Sequence, residues 1–211
     1  MKTDDLISLL SKDAQVRSRL GSVLTGALSM GVIVSAAMLI ATVGLRPDIA
    51  TVIGTPRVLL KIVTTLALAL AACGLVFRIG RPGVPLKLSA LSLLFPAVLV
   101  CAGVVFELLA LPTDMWRAAV LGRNAAYCVF FIPIFSLPPL VGFLWALKNA
   151  APATPTIGGA VAGLASAGVS AALYAWHCPD DSPLFLATWY TLSITIVTGI
   201  GALAGSRLLR W

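Results

Sequence analysis

Ionisable side chains are scarce in this chain of 211 residues: Asp, Glu, Lys and Arg together make up 11%, against roughly a quarter in soluble domains. There is one histidine, His177, so a site built from several imidazoles is excluded. HExxH, a Walker loop, GxSxG and CxxC are all missing, which removes the usual signatures of intramembrane protease, nucleotide hydrolase and thioredoxin-like chemistry. No ionisable residue stands at the middle of a long apolar run, where proton pumps and ion-coupled transporters need one. The expectation is a protein without catalytic turnover. No cofactor is expected beyond a metal ion acting transiently as a signal.

Apolar residues dominate the remainder. Hydrophobic residues make up 59% of the chain and the mean hydropathy is +1.01. At about 20 apolar residues per crossing, the chain holds six helical spans, which the hydropathy pattern puts at 23–44, 58–77, 88–110, 124–147, 157–176 and 186–206. The expected fold class is an all-α membrane protein, a six-helix transmembrane bundle over 23–211 preceded by a short amphipathic tail over 1–22. The tail lacks an apolar core beside a small-residue cleavage site, so it is expected to stay on the mature protein.

Six crossings put both termini on one side. Ten basic residues fall on that side: Lys2, Lys12, Arg17, Arg19, Arg78, Arg81, Lys87, Lys148, Arg207 and Arg210. Five fall on the other: Arg46, Arg57, Lys61, Arg117 and Arg123. The positive-inside rule then makes both termini cytoplasmic. The net charge of +7 therefore reads as topology and not as nucleic-acid binding. Trp116, Trp145, Trp176, Trp189 and Trp211 all fall at or beside span ends, where interfacial aromatics belong.

Inside the spans, Pro96 and the trio Pro133, Pro138 and Pro139 each remove a backbone donor, and the fourth span is expected to be the most broken. Gly159 with Gly163, and Gly201 with Gly205, stand at GxxxG spacing, which reads as close helix packing; whether these faces also make dimers stays open. Lys61 and Glu107 lie toward the outer ends of their spans, where they can snorkel or pair with one another.

Cys73 and Cys101 fall inside spans and read as small apolar packing residues. Cys128, about one turn into the fourth span, and Cys178, in the outer loop HCPDDSPLF at 177–185, lie at similar depth away from the termini. Two readings stand side by side for them. One is a permanent disulfide staple; the other is a pair that answers an oxidant or a metal, with His177, Asp180 and Asp181 tuning the thiol or adding ligands. For a metal, the candidate ligands are Cys128, His177 and Cys178.

In the tail, Thr3 can N-cap a helix whose first turn carries Asp4 and Asp5, and Leu6, Ile7, Leu9, Leu10, Ala14 and Val16 form a broad apolar stripe. So short a helix is marginal alone in water. It wants a partner, and its acidic tip favours a protein groove over an anionic membrane surface.

MKTDDLI at 1–7 with Asp13, GLRPD at 44–48, YAWHCPDDSPLF at 174–185, TWY at 188–190 and RLLRW at 207–211 together resemble the NrsF-like anti-sigma factors of bacteria, six-span inner-membrane proteins, from the first residue to the last. The resemblance implies negative regulation of an extracytoplasmic-function sigma factor, held at the inner membrane by the cytoplasmic N-terminal region until an envelope-side stress releases it. It implies that Asp4, Asp5, Leu6, Ile7 and Leu10 bind the sigma factor, and that Cys128 and Cys178 are the paired cysteines associated with response to oxidants or heavy metals. Signalling would bias the fourth span against the fifth and sixth. RIGRPGVPLK at 78–87 and SRLLRW at 206–211 would complete the binding site. Two rivals remain: a small transporter or channel, which needs a continuous polar cavity, and a membrane thiol oxidoreductase using Cys128 and Cys178, which needs a quinone or a partner disulfide.

Overall fold

A computed structural model describes residues 20–80, 86–150, 152 and 154–210. The tail residues Asp4, Asp5, Leu6, Ile7 and Leu10 lie outside the described residues, as do Trp211 and positions 81–85. Six long helices organise the rest: α1 Leu20–Thr42, α2 Pro56–Ile79, α3 Leu94–Ala110, α4 Ala125–Lys148, α5 Pro155–Tyr174 and α6 Thr191–Leu208. With the turns that extend three of them, they supply six stretches long and apolar enough to cross a membrane. No strand occurs among the described residues. The all-α expectation therefore holds.

Local chemistry sets several helix ends. Pro56 and Pro155 open α2 and α5, at the one helical position where a missing N–H costs nothing. Beyond the end of α1, Gly44 adopts a left-handed φ of 68°. Its N–H closes back on the Leu39 carbonyl at 2.9 Å, the turn that ends a helix when glycine follows it. Pro96 offers no N–H to the Ser92 carbonyl, which accepts from Phe95 instead at 3.3 Å. The third span consequently divides into a short helix Lys87–Leu91, a turn, and α3.

The fourth span departs from expectation. Three prolines lie inside α4, yet the helix runs unbroken from Ala125 to Lys148. Pro139 leaves the carbonyl of Phe135 without its helical donor, and the Ser35 hydroxyl of α1 supplies one at 2.6 Å. The carbonyl of Ile132, whose helical donor is not a proline, also accepts from Ser170 of α5 at 2.7 Å, a second tie between α4 and a neighbour. A neighbouring hydroxyl thus satisfies a carbonyl that Pro139 leaves open in the helix.

α5 is the innermost helix, lined by Gly159, Ala162, Gly163, Ala165, Ser166 and further small residues that are nearly all buried. It packs on α6, α2, α4 and α1. The two GxxxG runs meet each other here: a Cβ on Gly163 would stand 2.6 Å from the Val197 carbonyl, and one on Gly205 would stand 2.6 Å from the Gly159 Cα. Close packing is therefore what this spacing does, and it does so within one chain. The bundle has a proximal end, where α1 begins and α6 finishes. At its distal end, the segments 43–55, 111–124 and 175–182 gather.

Candidate functional site

The distal end carries the chemistry. Cys128 comes from the first turn of α4 and Cys178 from the loop after α5, and their Sγ atoms lie 3.8 Å apart. Both residues are 0% exposed. They sit in an apolar nest of Ile132, Phe135, Tyr174, Phe185 and Tyr190. Both backbone groups of Cys178 are engaged: its N–H donates to Tyr174 O at 3.0 Å, and its carbonyl accepts from Lys61 Nζ at 2.7 Å and Arg46 Nη1 at 3.5 Å. On the facing side, the Cys128 N–H donates to Asn124 O at 3.0 Å. Although Cys178 lies in a loop, Phe185 and the two tyrosines bury it.

Above the thiols lies a network of charges. Lys61, in the second turn of α2, is 1% exposed. Its ammonium donates to the carbonyls of Cys178 and Asp180, at 2.7 and 3.3 Å, and to the Asp181 carboxylate. Arg46 holds Asp48 through Nε and Nη2, both at 2.8 Å, and reaches Asp181 through Nη1 at 2.8 Å. Asp180 accepts the backbone N–H groups of Arg123 and Asn124, at 3.1 and 2.8 Å. Its carboxylate therefore meets the positive end of α4.

These contacts correct one expectation and place one candidate residue. Lys61 and Glu107 do not pair: Glu107 takes Arg57 Nε at 3.1 Å and the Ser182 hydroxyl at 3.2 Å. Arg57 and Lys61 are one turn apart on α2, so the outer cation meets α3 and the inner one meets the loop after α5. His177 does not join the cysteines as a ligand set. Its Nδ1 lies 3.0 Å from the Gly44 carbonyl, and no group of three or more His, Cys, Asp or Glu is gathered for a metal among the described residues. Cys73 is buried as expected, whereas Cys101 is exposed.

Electrostatics distinguish Cys178. Its thiol is held below its ordinary value, chiefly by its hydrogen bond with Cys128 and further by the Lys61 charge, against the opposing effect of burial. The Asp48 carboxylate holds Arg46 above the usual guanidinium range, with Asp181 adding to it against desolvation. Arg46 in turn lowers Asp48. Arg46, Lys61, Tyr174 and Tyr190 were not marked as site residues by sequence reasoning. The available signal was a lysine near a span end with two unpaired carboxylates in the opposing loop.

A cavity of about 480 Å³ lies between α2, α3 and α6, bordered by Thr64, Thr65, Cys101, Leu186, Tyr190 and Ile194. Its walls are mostly apolar, unlike the polar passage that transport requires.

Comparison with known sequences completes the description. The family model described as "Negative regulator of sigma F", NrsF, matches residues 10–211. The chain is 36% identical over 217 residues to the anti-sigma-F factor NrsF of Caulobacter vibrioides (strain NA1000 / CB15N), covering the whole of both chains. It is 28% identical over 213 residues to the probable anti-sigma-F factor NrsF of Azospira oryzae (strain ATCC BAA-33 / DSM 13638 / PS), again covering both chains entirely. No solved structure matches it.

Proposed function

Because the chain belongs to the NrsF family of negative regulators of sigma F, we propose that it is a multi-pass inner-membrane anti-sigma factor that retains an extracytoplasmic-function sigma factor at its cytoplasmic N-terminal segment. The observation that carries the reading is similarity along the entire chain to an anti-sigma-F factor, joined to six helices able to span a membrane. Asp4, Asp5, Leu6, Ile7 and Leu10 form the binding stripe in this reading. With both termini cytoplasmic by the count of basic residues, the distal end faces the envelope side, and Cys128 with Cys178 is the signal input. Their 3.8 Å separation supports that role, since reduction and reoxidation would need little movement. An oxidant acts by converting the pair to a disulfide, and the shape change travels along α4.

The test is a pull-down of the detergent-solubilised protein, intact and without residues 2–16, against the extracytoplasmic-function sigma factors of its host. The expected result is capture of one sigma factor that disappears with the deletion. Failure of the intact protein to capture any, under reducing and oxidising conditions alike, overturns the proposal.

A further inference from the structure

Lys61 is an expensive residue where it stands. An ammonium nearly without exposure, more than a turn inside an apolar helix, is tolerated only when its donors are satisfied. All three partners of Lys61 lie in one four-residue stretch: the carbonyls of Cys178 and Asp180 and the carboxylate of Asp181. A cation serving only to anchor α2 could use any nearby acceptor; this one grips the chain immediately around Cys178.

We propose that Lys61 is the positioning residue of the thiol pair, holding the Cys178 sulfur against Cys128 so that a disulfide between them, once formed, is favoured over the two thiols. The inference rests on the sensing role given above to the two cysteines. Lys61 fixes the Cys178 carbonyl while Tyr174 fixes its N–H at 3.0 Å, which leaves the side-chain rotation as the main freedom of Cys178. Cys128 is held in the first turn of α4, and Asp180, whose carbonyl Lys61 also grips, caps that helix. One ammonium thereby ties together both sides of the prospective bond. Arg46 reaches the same carbonyl at 3.5 Å, a longer contact that cannot replace it. The remaining polar groups around the sulfurs are the Asp180 carbonyl, 3.9 Å from the Cys178 Sγ, and the hydroxyl-bearing Tyr174 and Tyr190.

The reaction is thiol–disulfide exchange with a small disulfide. One cysteine sulfur, having given up its proton, attacks the small disulfide, forms a mixed disulfide and expels one thiol. The second, also deprotonated, attacks the mixed disulfide, forms the Cys128–Cys178 bond and expels the other thiol. Two electrons and two protons pass from the pair to the small disulfide, which ends as two thiols. Fixed geometry raises the effective concentration of one sulfur for the other, which makes the protein disulfide harder to reduce.

The experiment equilibrates the full-length protein, with Cys73 and Cys101 replaced by alanine, in mixtures of reduced and oxidised dithiothreitol. The disulfide fraction is read by alkylation and mass spectrometry. Lys61→Met is expected to lower the equilibrium constant for disulfide formation at least tenfold, a shift of about 30 mV for two electrons. Lys61→Arg, which keeps charge and donors, is expected to recover most of it. Because Lys61→Met takes away one of the two cations that hold Asp181, the variant Lys61→Met with Asp181→Asn guards against misfolding and is expected to show the same loss. An unchanged constant in that folded double variant overturns the proposal, as does an equal loss in Lys61→Arg. No sigma factor is needed, so a Lys61-dependent potential combined with a Cys178→Ser variant that still answers oxidant in cells would leave this inference standing and remove the sensing role instead.

Discussion

At the scale of single residues, the distal end is organised by cations that each hold more than one acceptor. Arg46 is the clearest, bridging an exposed Asp48 and a half-buried Asp181. Its raised proton affinity lies far above any working pH, so it does not titrate there, but Asp48 can. Arg46 lowers the Asp48 carboxyl in the folded protein, whereas the unfolded chain carries an ordinary value near 3.9. Such a group adds stability that is present above the unfolded value and disappears as pH falls through the folded one. The protein is therefore expected to lose thermal stability below about pH 4. Asp48→Asn should start lower at neutral pH and fall less steeply on acidification, as followed by thermal unfolding in detergent. Identical profiles would mean that Asp181 alone satisfies Arg46. This network was only partly legible in the sequence. Cys128 and Cys178 stood out because span depth brings them level. Arg46 did not, because a count of basic residues for topology treats it as a loop charge, and Lys61 stood out only as a partner for Glu107. Only the folded loop shows Lys61 turned inward to Asp181 and away from Glu107.

At the scale of elements, the informative failure is α4. Proline positions are visible in any sequence, and they predicted a broken helix. What repairs it is a serine about a hundred residues away, Ser35, whose hydroxyl reaches the carbonyl that Pro139 leaves open. That pairing depends on how α1 crosses α4, and local sequence holds no record of it. The crossing is close because Gly31 faces Pro139: a Cβ there would lie 2.7 Å from the proline Cα. By contrast, the GxxxG runs were legible as close-packing surfaces, and only their partner was not. Ser35→Ala should leave the Phe135 carbonyl unpaired in the interior, at a cost of roughly 1–3 kcal/mol. In a Pro139→Ala background an alanine N–H can bond that carbonyl instead, so the same serine replacement should cost clearly less. A double-mutant cycle by reversible unfolding in mixed micelles measures the difference. Equal costs in both backgrounds would show that Ser35 is not compensating for the proline.

The same strap decides how the whole molecule could carry a signal from the distal thiols to the proximal tail. Closing the 51-residue stretch from 128 to 178 is worth roughly 4 kcal/mol in the chain-entropy account of disulfides. That effect acts on the unfolded chain, however, and the sulfurs are already 3.8 Å apart in the fold. Chain entropy therefore does little to choose between two folded arrangements, which need a ligand or bond that favours one of them. Geometry can supply that preference, because a disulfide brings the sulfurs to about 2.05 Å, drawing the first turn of α4 toward the loop after α5. α4 is locked to α1 at Ser35 and Gly31, and α1 leads straight back to the tail that binds the sigma factor in the proposed function. Spatial continuity alone does not establish coupling; a variant that forms the bond without the response would. Full-length protein in vesicles, loaded with its sigma factor, would be treated with oxidised dithiothreitol while disulfide formation and sigma release are read in parallel. The wild type is expected to do both, and Cys128→Ser with Cys178→Ser to do neither. Ser35→Ala is expected to form the disulfide as completely as wild type yet release at most half as much sigma factor. Full release from Ser35→Ala would send the signal through α5 and α6, the other helices packed on α4.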